Sequence, residues 1–195
     1  MAGRGPAHPW VQLAVGRRGA GKTFWAIREA CRWRAEQRAR VERGEQVELL
    51  DVLAIDSVAT APPMDSHLAS ASDIYSPVML PELPDGVGLV AVDEADMWAP
   101  QSEARRDPLP PLIDLLRRGR HRGVSLLLAT QRPANLAYDA WGLADRIVIC
   151  QLTSRRDLDR VCELEGVAEH RAYIARHAAP GPAVVWTPYG VEVAK

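Results

Sequence analysis

Apolar residues in this chain gather in short continuous runs, separated by stretches where they recur at helical spacing. "VQLAV" (Val11–Val15), "VELLDVLAID" (Val47–Asp56), "VGLVAVDE" (Val87–Glu94), "VSLLLAT" (Val124–Thr130) and "RIVICQL" (Arg146–Leu152) predict five strands. Runs with no polar alternation belong to strands buried on both faces, and hence to a parallel sheet covered by helices. The intervening pattern predicts a long helix from Thr23 to about Arg43, stopped at Gly44. Further helices are predicted from about Leu112 to Arg118, over Ser154–Glu165 and over Ala168–His177. Ser57–Asp85 and the proline-broken stretch Ala99–Pro111 predict loops, and "PAVVWTPYGVEVA" predicts a C-terminal β-hairpin. No repeat or linker divides the chain, so residues 1–195 are expected to form one α/β domain: a mostly parallel sheet flanked by helices.

Ligands of such sheets sit beyond the carboxyl ends of the strands. Three polar groups fall at predicted strand ends: the glycine-rich stretch after Val15, the pair Asp93–Glu94, and Thr130–Gln131. They are expected to converge on one side of the sheet.

The first is "GRRGAGKT", Gly16 to Thr23, which fits GxxxxGK[ST] between a strand and a helix, the context of a phosphate-binding loop. Backbone N–H groups of Gly16, Arg17, Arg18, Gly19, Ala20, Gly21, Lys22 and Thr23 are candidates to cradle phosphate at a helix N-terminus. Lysine has a particular place here. The chain has 24 Lys plus Arg, and only Lys22 and Lys195 are lysines. A compact ammonium on a flexible stem suits the β- and γ-phosphates better than a planar guanidinium. Thr23 is expected to place its hydroxyl on Mg²⁺.

At the end of an apolar strand, Asp93 suits the acidic partner that holds Mg²⁺ through water. Glu94, one residue on, suits activation of an attacking water, which favours hydrolysis over transfer to a small acceptor. The cofactors implied are ATP and Mg²⁺. The letters D-E-A-D at Asp93–Asp96 do not carry a helicase assignment, because nothing here supplies the second motor domain of that class.

"GRHRGVSLLLATQRP", Gly119 to Pro133, sets arginines before a buried strand and an amide after it. Gln131 is placed to sense the γ-phosphate or position water. Arg117, Arg118, Arg120 and Arg122 precede the strand, so they belong at the opposite end of the sheet, out of reach of their own nucleotide. An arginine inserted from a neighbouring subunit adds about 10³–10⁵ in rate in related systems.

The run resembles the G-R-x-x-G-[IV]-x-L-x-L-A-T-Q-R-P stretch of the FtsK/HerA superfamily of ring-forming, DNA-pumping ATPases. "DRIVICQLTSRRDLDRV" and "PGPAVVW" extend the likeness over most of the chain. The resemblance implies a RecA-like core and a homo-oligomeric, hexameric ring acting on double-stranded DNA. By position, Lys22 and Thr23 match the Walker A pair, Asp93 and Glu94 the Walker B pair, and Gln131 the sensor. Arg120 matches the arginine of G-R-x-x-G; whether Arg120 or Arg117 is the finger in trans stays open. No counterpart of the N-terminal β-barrel of HerA, or of the membrane and DNA-orienting domains of FtsK, is expected within these residues. In size it resembles the genome-packaging ATPases of tailless, membrane-containing icosahedral phages and archaeal viruses. That implies partners at a capsid vertex or anchored in a membrane. Other readings are a cellular or plasmid HerA-like DNA pump, a P-loop kinase, and a nucleotide-controlled assembly factor.

Composition adds little and excludes some classes. The chain is 47% hydrophobic and 25% charged, with net charge −1, so no global field favours nucleic acid and any basic surface is local. Arg105 and Arg106, in the loop after the acidic pair, are candidate DNA contacts. The arginines of the first long helix fit a solvated or subunit-facing surface. Cys31, Cys150 and Cys162 have no metal-ligand spacing and read as buried free thiols of a reducing compartment. No apolar run approaches the roughly 20 residues of a membrane span, and no signal-peptide core is present. The expected setting is cytoplasmic, or virion-associated at a packaging vertex, without membrane insertion.

Overall fold

The alternation of side chains along each strand sorts the core into two layers. In a computed structural model, which describes residues 8–45, 86–178 and 180–193, and 51–55 by backbone alone, the described strands are β1 (Val11–Val15), β2 (Asp51–Ile55), β3 (Val87–Val92), β4 (Ser125–Thr130), β5 (Arg146–Ile149), β6 (Val184–Thr187) and β7 (Gly190–Val193). They form one sheet in the order β2-β3-β4-β1-β5-β6-β7. The first five of that order are parallel. β6 and β7 are antiparallel and make the expected hairpin on the β5 edge. The fold is therefore α/β, as the apolar runs require.

On one face, Leu13, Val90, Val92, Leu126, Leu128, Ile147 and Ile149 join residues of the helices α3 (Pro111–Arg118), α4 (Tyr138–Gly142), α5 (Arg155–Val161) and α6 (Arg171–Arg176). On the other, Ala14, Leu89, Leu127, Ala129, Val148 and Cys150 lie under the helix α1 (Lys22–Glu42). Small residues on that face leave room for two large ones: Trp25 and Trp33 of α1 are 2% and 4% exposed. Burying two indoles against alanines anchors α1, and with it the loop that precedes it.

α1 buries Lys22, Trp25, Glu29, Trp33 and Gln37, a stripe at three- and four-residue spacing. It closes where Gly44 takes a left-handed φ of 78°. The sequence boundaries need several adjustments. The second strand is described only over Asp51–Ile55; its expected first residues and Asp56 lie outside the described residues, as does the whole of the expected loop Ser57–Asp85. The helix expected over Ser154–Glu165 ends at Val161, because the chain must turn to bring Val167 into the core, where it is fully buried. The next helix begins as a 3₁₀ turn at Ala168–His170 before α6.

Two short helices were not anticipated, α2 (Ala95–Trp98) and α4. The Ala99–Pro111 stretch is not a free loop throughout. Ala99 is fully buried and its carbonyl accepts from the Ala137 amide at 2.9 Å, and a 3₁₀ turn follows at Gln101–Glu103. Arg105 and Arg106 lie beyond this anchored part and are exposed.

Candidate functional site

The glycine loop leaves β1 between the ends of its two neighbours. The Gly16 amide donates to the Thr130 carbonyl at the end of β4 (3.2 Å), and the Arg17 amide to the Gln151 carbonyl past β5 (2.7 Å). Gly16 has no alternative. A Cβ there would lie 2.7 Å from the Cβ of Cys150. Gly21 carries a φ of 90°, and a Cβ on it would stand 2.9 Å from the Gly181 nitrogen. That close approach comes from Pro180–Gly181, ahead of β6; the Gly181 amide donates to the Ala20 carbonyl at 2.9 Å. The segment before the hairpin thus braces the loop from outside.

Because Gly21 caps α1 without a side chain, the first-turn amides have no capping partner. A helix N-terminus with free amides favours an anion. Lys22 is 5% exposed and its ammonium donates to the Arg17 carbonyl across the loop at 3.2 Å. Burial lowers its pKa from the ordinary lysine value, partly offset by the carboxylates of Asp93 and Glu94. A desolvated ammonium with only a carbonyl to bond is poised to take phosphate oxygens.

The acidic pair follows β3 on the same side. The Thr23 hydroxyl donates to the Asp93 carboxylate at 3.0 Å, so the last residue of the loop motif and the first of the pair meet. A hydroxyl and a carboxylate are the hard oxygen donors that Mg²⁺ takes while keeping several waters. The other Asp93 oxygen accepts from the Glu94 amide at 2.9 Å. Among the described residues Glu94 alone of the non-glycines has positive φ (49°, ψ 46°). Holding a glutamate there costs about 1–3 kcal/mol, a strain that clusters at functional sites. It turns the Glu94 side chain away from Asp93 and toward β4.

There the Gln131 amide donates to the Glu94 carboxylate. Burial raises the Glu94 pKa above the ordinary glutamate range. Asp93 and Asp96 push it further, and the Gln131 hydrogen bond and Lys22 oppose the rise. A raised pKa suits a carboxylate that must accept a proton. The Thr130 hydroxyl, fully buried, donates to Asp96, and the Arg132 amide donates to that hydroxyl at 3.0 Å. These bonds fix the turn that presents Gln131. Sequence reasoning gave Asp96 no part. Its signal was present, a third carboxylate two residues past the pair, on the flank where β4 runs.

The arginines ahead of β4 lie at the other end of the sheet. Arg120 donates to both oxygens of Asp145 (2.8 and 2.7 Å) and to the Leu143 carbonyl (3.1 Å). Asp145 also accepts from the Val11 amide, at the amino end of β1, at 2.8 Å. Arg117 pairs with Asp139 at 2.7 Å and reaches the Ala104 carbonyl at 3.2 Å, and Arg118 and Arg122 both pair with Asp114. Arg105 and Arg106 are not brought to the site; Arg106 lies 3.4 Å from Glu103.

Arg17 and Arg18 point outward from the loop and are exposed, and the Arg17 Nε donates to Gln151. Cys150 lies beneath the loop, and burial pushes its thiol up to about 11, a structural position. No group of three or more His, Cys, Asp or Glu among the described residues is arranged to hold a metal ion.

No protein-family model matches the sequence, and no curated protein matches it. Solved structures do. The genome packaging NTPase B204 from Sulfolobus turreted icosahedral virus 2, in complex with ATP-gammaS, covers 96% of this chain and 97% of its own, with TM-score 0.65 and 15% identity. B204 from Sulfolobus turreted icosahedral virus, described as a DNA-packaging ATPase, covers 96% and 98% at TM-score 0.65 and 14% identity. The N-terminal domain of zonular occludens toxin from Neisseria meningitidis covers 73% and 76% at TM-score 0.51 and 22% identity. This chain therefore has the P-loop NTPase fold of those proteins, over nearly the whole length of the packaging NTPases.

Proposed function

We propose that this chain is a DNA-translocating ATPase that works as a ring of identical subunits, most specifically a motor that packages a viral genome. One observation carries the ATPase reading. Lys22, Thr23, Asp93, Glu94 and Gln131, scattered over more than a hundred residues, are gathered at adjoining strand ends, with Thr23 bonded to Asp93 and Gln131 to Glu94. The packaging reading is supported by a fold shared end to end with B204.

In this account the loop amides and Lys22 hold the β- and γ-phosphates. Thr23 and Asp93 would hold Mg²⁺, and the ion, when bound, would supply neutralisation of the phosphate charge. Glu94 takes the proton of the attacking water. Gln131, bonded to that carboxylate, positions it and reports γ-phosphate occupancy to β4. Arg120 or Arg117 of the adjacent subunit completes the site. The exposed pairs Arg120–Asp145 and Arg117–Asp139 hold those side chains by no more than about 1 kcal/mol each. A finger contributes roughly 4–7 kcal/mol, so release from the in-chain carboxylate is readily offset. Arg105 and Arg106 are the candidate contacts to double-stranded DNA, through phosphates and so without sequence preference. The motor docks on a capsid vertex or a membrane-anchored partner; no described helix is long and apolar enough to cross a membrane itself.

The test is the ATPase rate with and without double-stranded DNA, alongside the mass by light scattering. DNA stimulation in a multi-subunit assembly is the expected result. A DNA-indifferent monomer that hydrolyses ATP only with a small-molecule acceptor overturns the motor in favour of a kinase.

A further inference from the structure

A second basic site adjoins the phosphate loop. A cavity of about 400 Å³ opens outside the carboxyl ends of β4, β1 and β5. Its lining includes Arg17 and Arg18 from the loop, Gln131 and Arg132 after β4, and Arg156 and Asp157 after β5. Arg17 and Arg18 are shared with the phosphate loop, whereas Lys22, Thr23, Asp93 and Glu94 do not line it, so it adjoins the phosphate cradle on the side away from Lys22. Its charge is unbalanced. Arg18, Arg132 and Arg156 have no carboxylate within ion-pair distance among the described residues, whereas the arginines before β4 all do. Asp157, the sole carboxylate of the lining, accepts from the Ala134 amide at 3.1 Å and is outnumbered by the four arginines. Gln131 belongs to both places: its amide holds Glu94, and its side faces the cavity.

A polar cavity lined by four arginines and one carboxylate carries a net positive charge and fits a small multivalent oxyanion, bound by forked N–H donors. The cavity also lies on the flank of Gln131 and Glu94, where an attacking water stands and toward which a severed γ-phosphate moves in an in-line displacement. We propose that this cavity, centred on Arg18, Arg132 and Arg156, is a holding site for the inorganic phosphate released by hydrolysis. The site assignment rests on the ATPase reading for the origin of its ligand, but not for its existence.

The experiment titrates inorganic phosphate into the full chain by calorimetry, with ADP titrated separately. Three proteins are compared: the unaltered chain, Lys22→Ala, and Arg132→Gln/Arg156→Gln. Phosphate binding retained in Lys22→Ala and weakened by about tenfold or more in the double variant, with ADP affinity within about twofold of the unaltered chain there, is the expected result. Phosphate binding lost in Lys22→Ala and untouched in the double variant means the loop is the sole phosphate site and overturns the inference, leaving the ATPase reading intact. Failure of ADP to bind the unaltered chain overturns the ATPase reading instead, while the arginine site is still judged by phosphate. A short double-stranded DNA supplies the other source of phosphate. If the double variant loses DNA affinity and keeps phosphate affinity, the cavity serves a backbone phosphate and the proposal fails. If the double variant slows single-turnover hydrolysis itself, the arginines act on the bond being broken, and the proposal fails likewise.

Discussion

The two ends of the sheet use the same residue type in opposite ways. At the amino end, Arg117, Arg118, Arg120 and Arg122 each face a carboxylate of their own chain, and Asp145 serves the backbone of β1 as well as Arg120. At the carboxyl end, Arg18, Arg132 and Arg156 line a cavity and have no carboxylate within ion-pair distance among the described residues, beside a buried lysine. The arginines of one end are paired within the fold, and those of the other lack a carboxylate partner among the described residues. The difference teaches where to look for chemistry in a chain of nearly zero net charge. What matters is whether each cation's partner is already in the fold.

The comparison can be broken at either end. The largest effect is expected from the end whose arginines are paired. Arg120→Ala lowers the ATPase rate of the assembly by about 10³-fold or more if this is the finger. It shifts unfolding free energy by less than about 1 kcal/mol, because the lost ion pair is half-exposed. Steady-state ATPase and denaturant unfolding measured together check both halves. At the other end, Glu94→Gln is expected to cost roughly 10²–10⁴-fold in hydrolysis while ATP binding persists, and Lys22→Ala to lose both. A fluorescent ATP analogue separates binding from rate.

Smaller effects sharpen the local geometry. Gly16→Ala drives a methyl into Cys150 and is expected to destabilise the fold by about 1–3 kcal/mol, read as a lower Tm. The smallest is a shift along the pH axis. Glu94 must be ionised to accept a proton, and burial makes it hold its proton to higher pH than an ordinary glutamate at 4.5. The rate therefore falls with acid through a midpoint above 4.5. Since the Gln131 hydrogen bond lowers that pKa, Gln131→Ala moves the midpoint upward, whatever it does to the plateau. A kcat profile of the two proteins checks the sign.

Much of this was legible in the sequence because it is periodic or punctuated. Five apolar runs gave five parallel strands, Gly44 ended α1, and GxxxxGKT between strand and helix forced Gly16 and Gly21 into positions where no Cβ fits. Convergence of Thr23 with Asp93 followed from strand-end placement. What was not legible depends on contacts across the sheet. Helices of four and five residues, α2 and α4, carry no periodic signal. The left-handed turn at Glu94 cannot be read from a residue type that avoids it. Pro180–Gly181 reaches the loop from more than 150 residues away, through one backbone hydrogen bond. The in-chain partners of Arg117 and Arg120 are Asp139, in the unforeseen helix α4, and Asp145, just before β5; both pairings are set by contacts across more than twenty residues that no local pattern carries.

The most direct test mixes defective subunits. Glu94→Gln protein lacks the base and keeps the arginines; Arg120→Ala protein, and in parallel Arg117→Ala, keeps the base and lacks one arginine. With mixed assemblies verified by light scattering, an equimolar mixture is predicted to hydrolyse ATP faster than either variant alone in one of the two pairings. A mixture as inactive as its components in both pairings would contradict a nucleotide site completed by the neighbouring subunit.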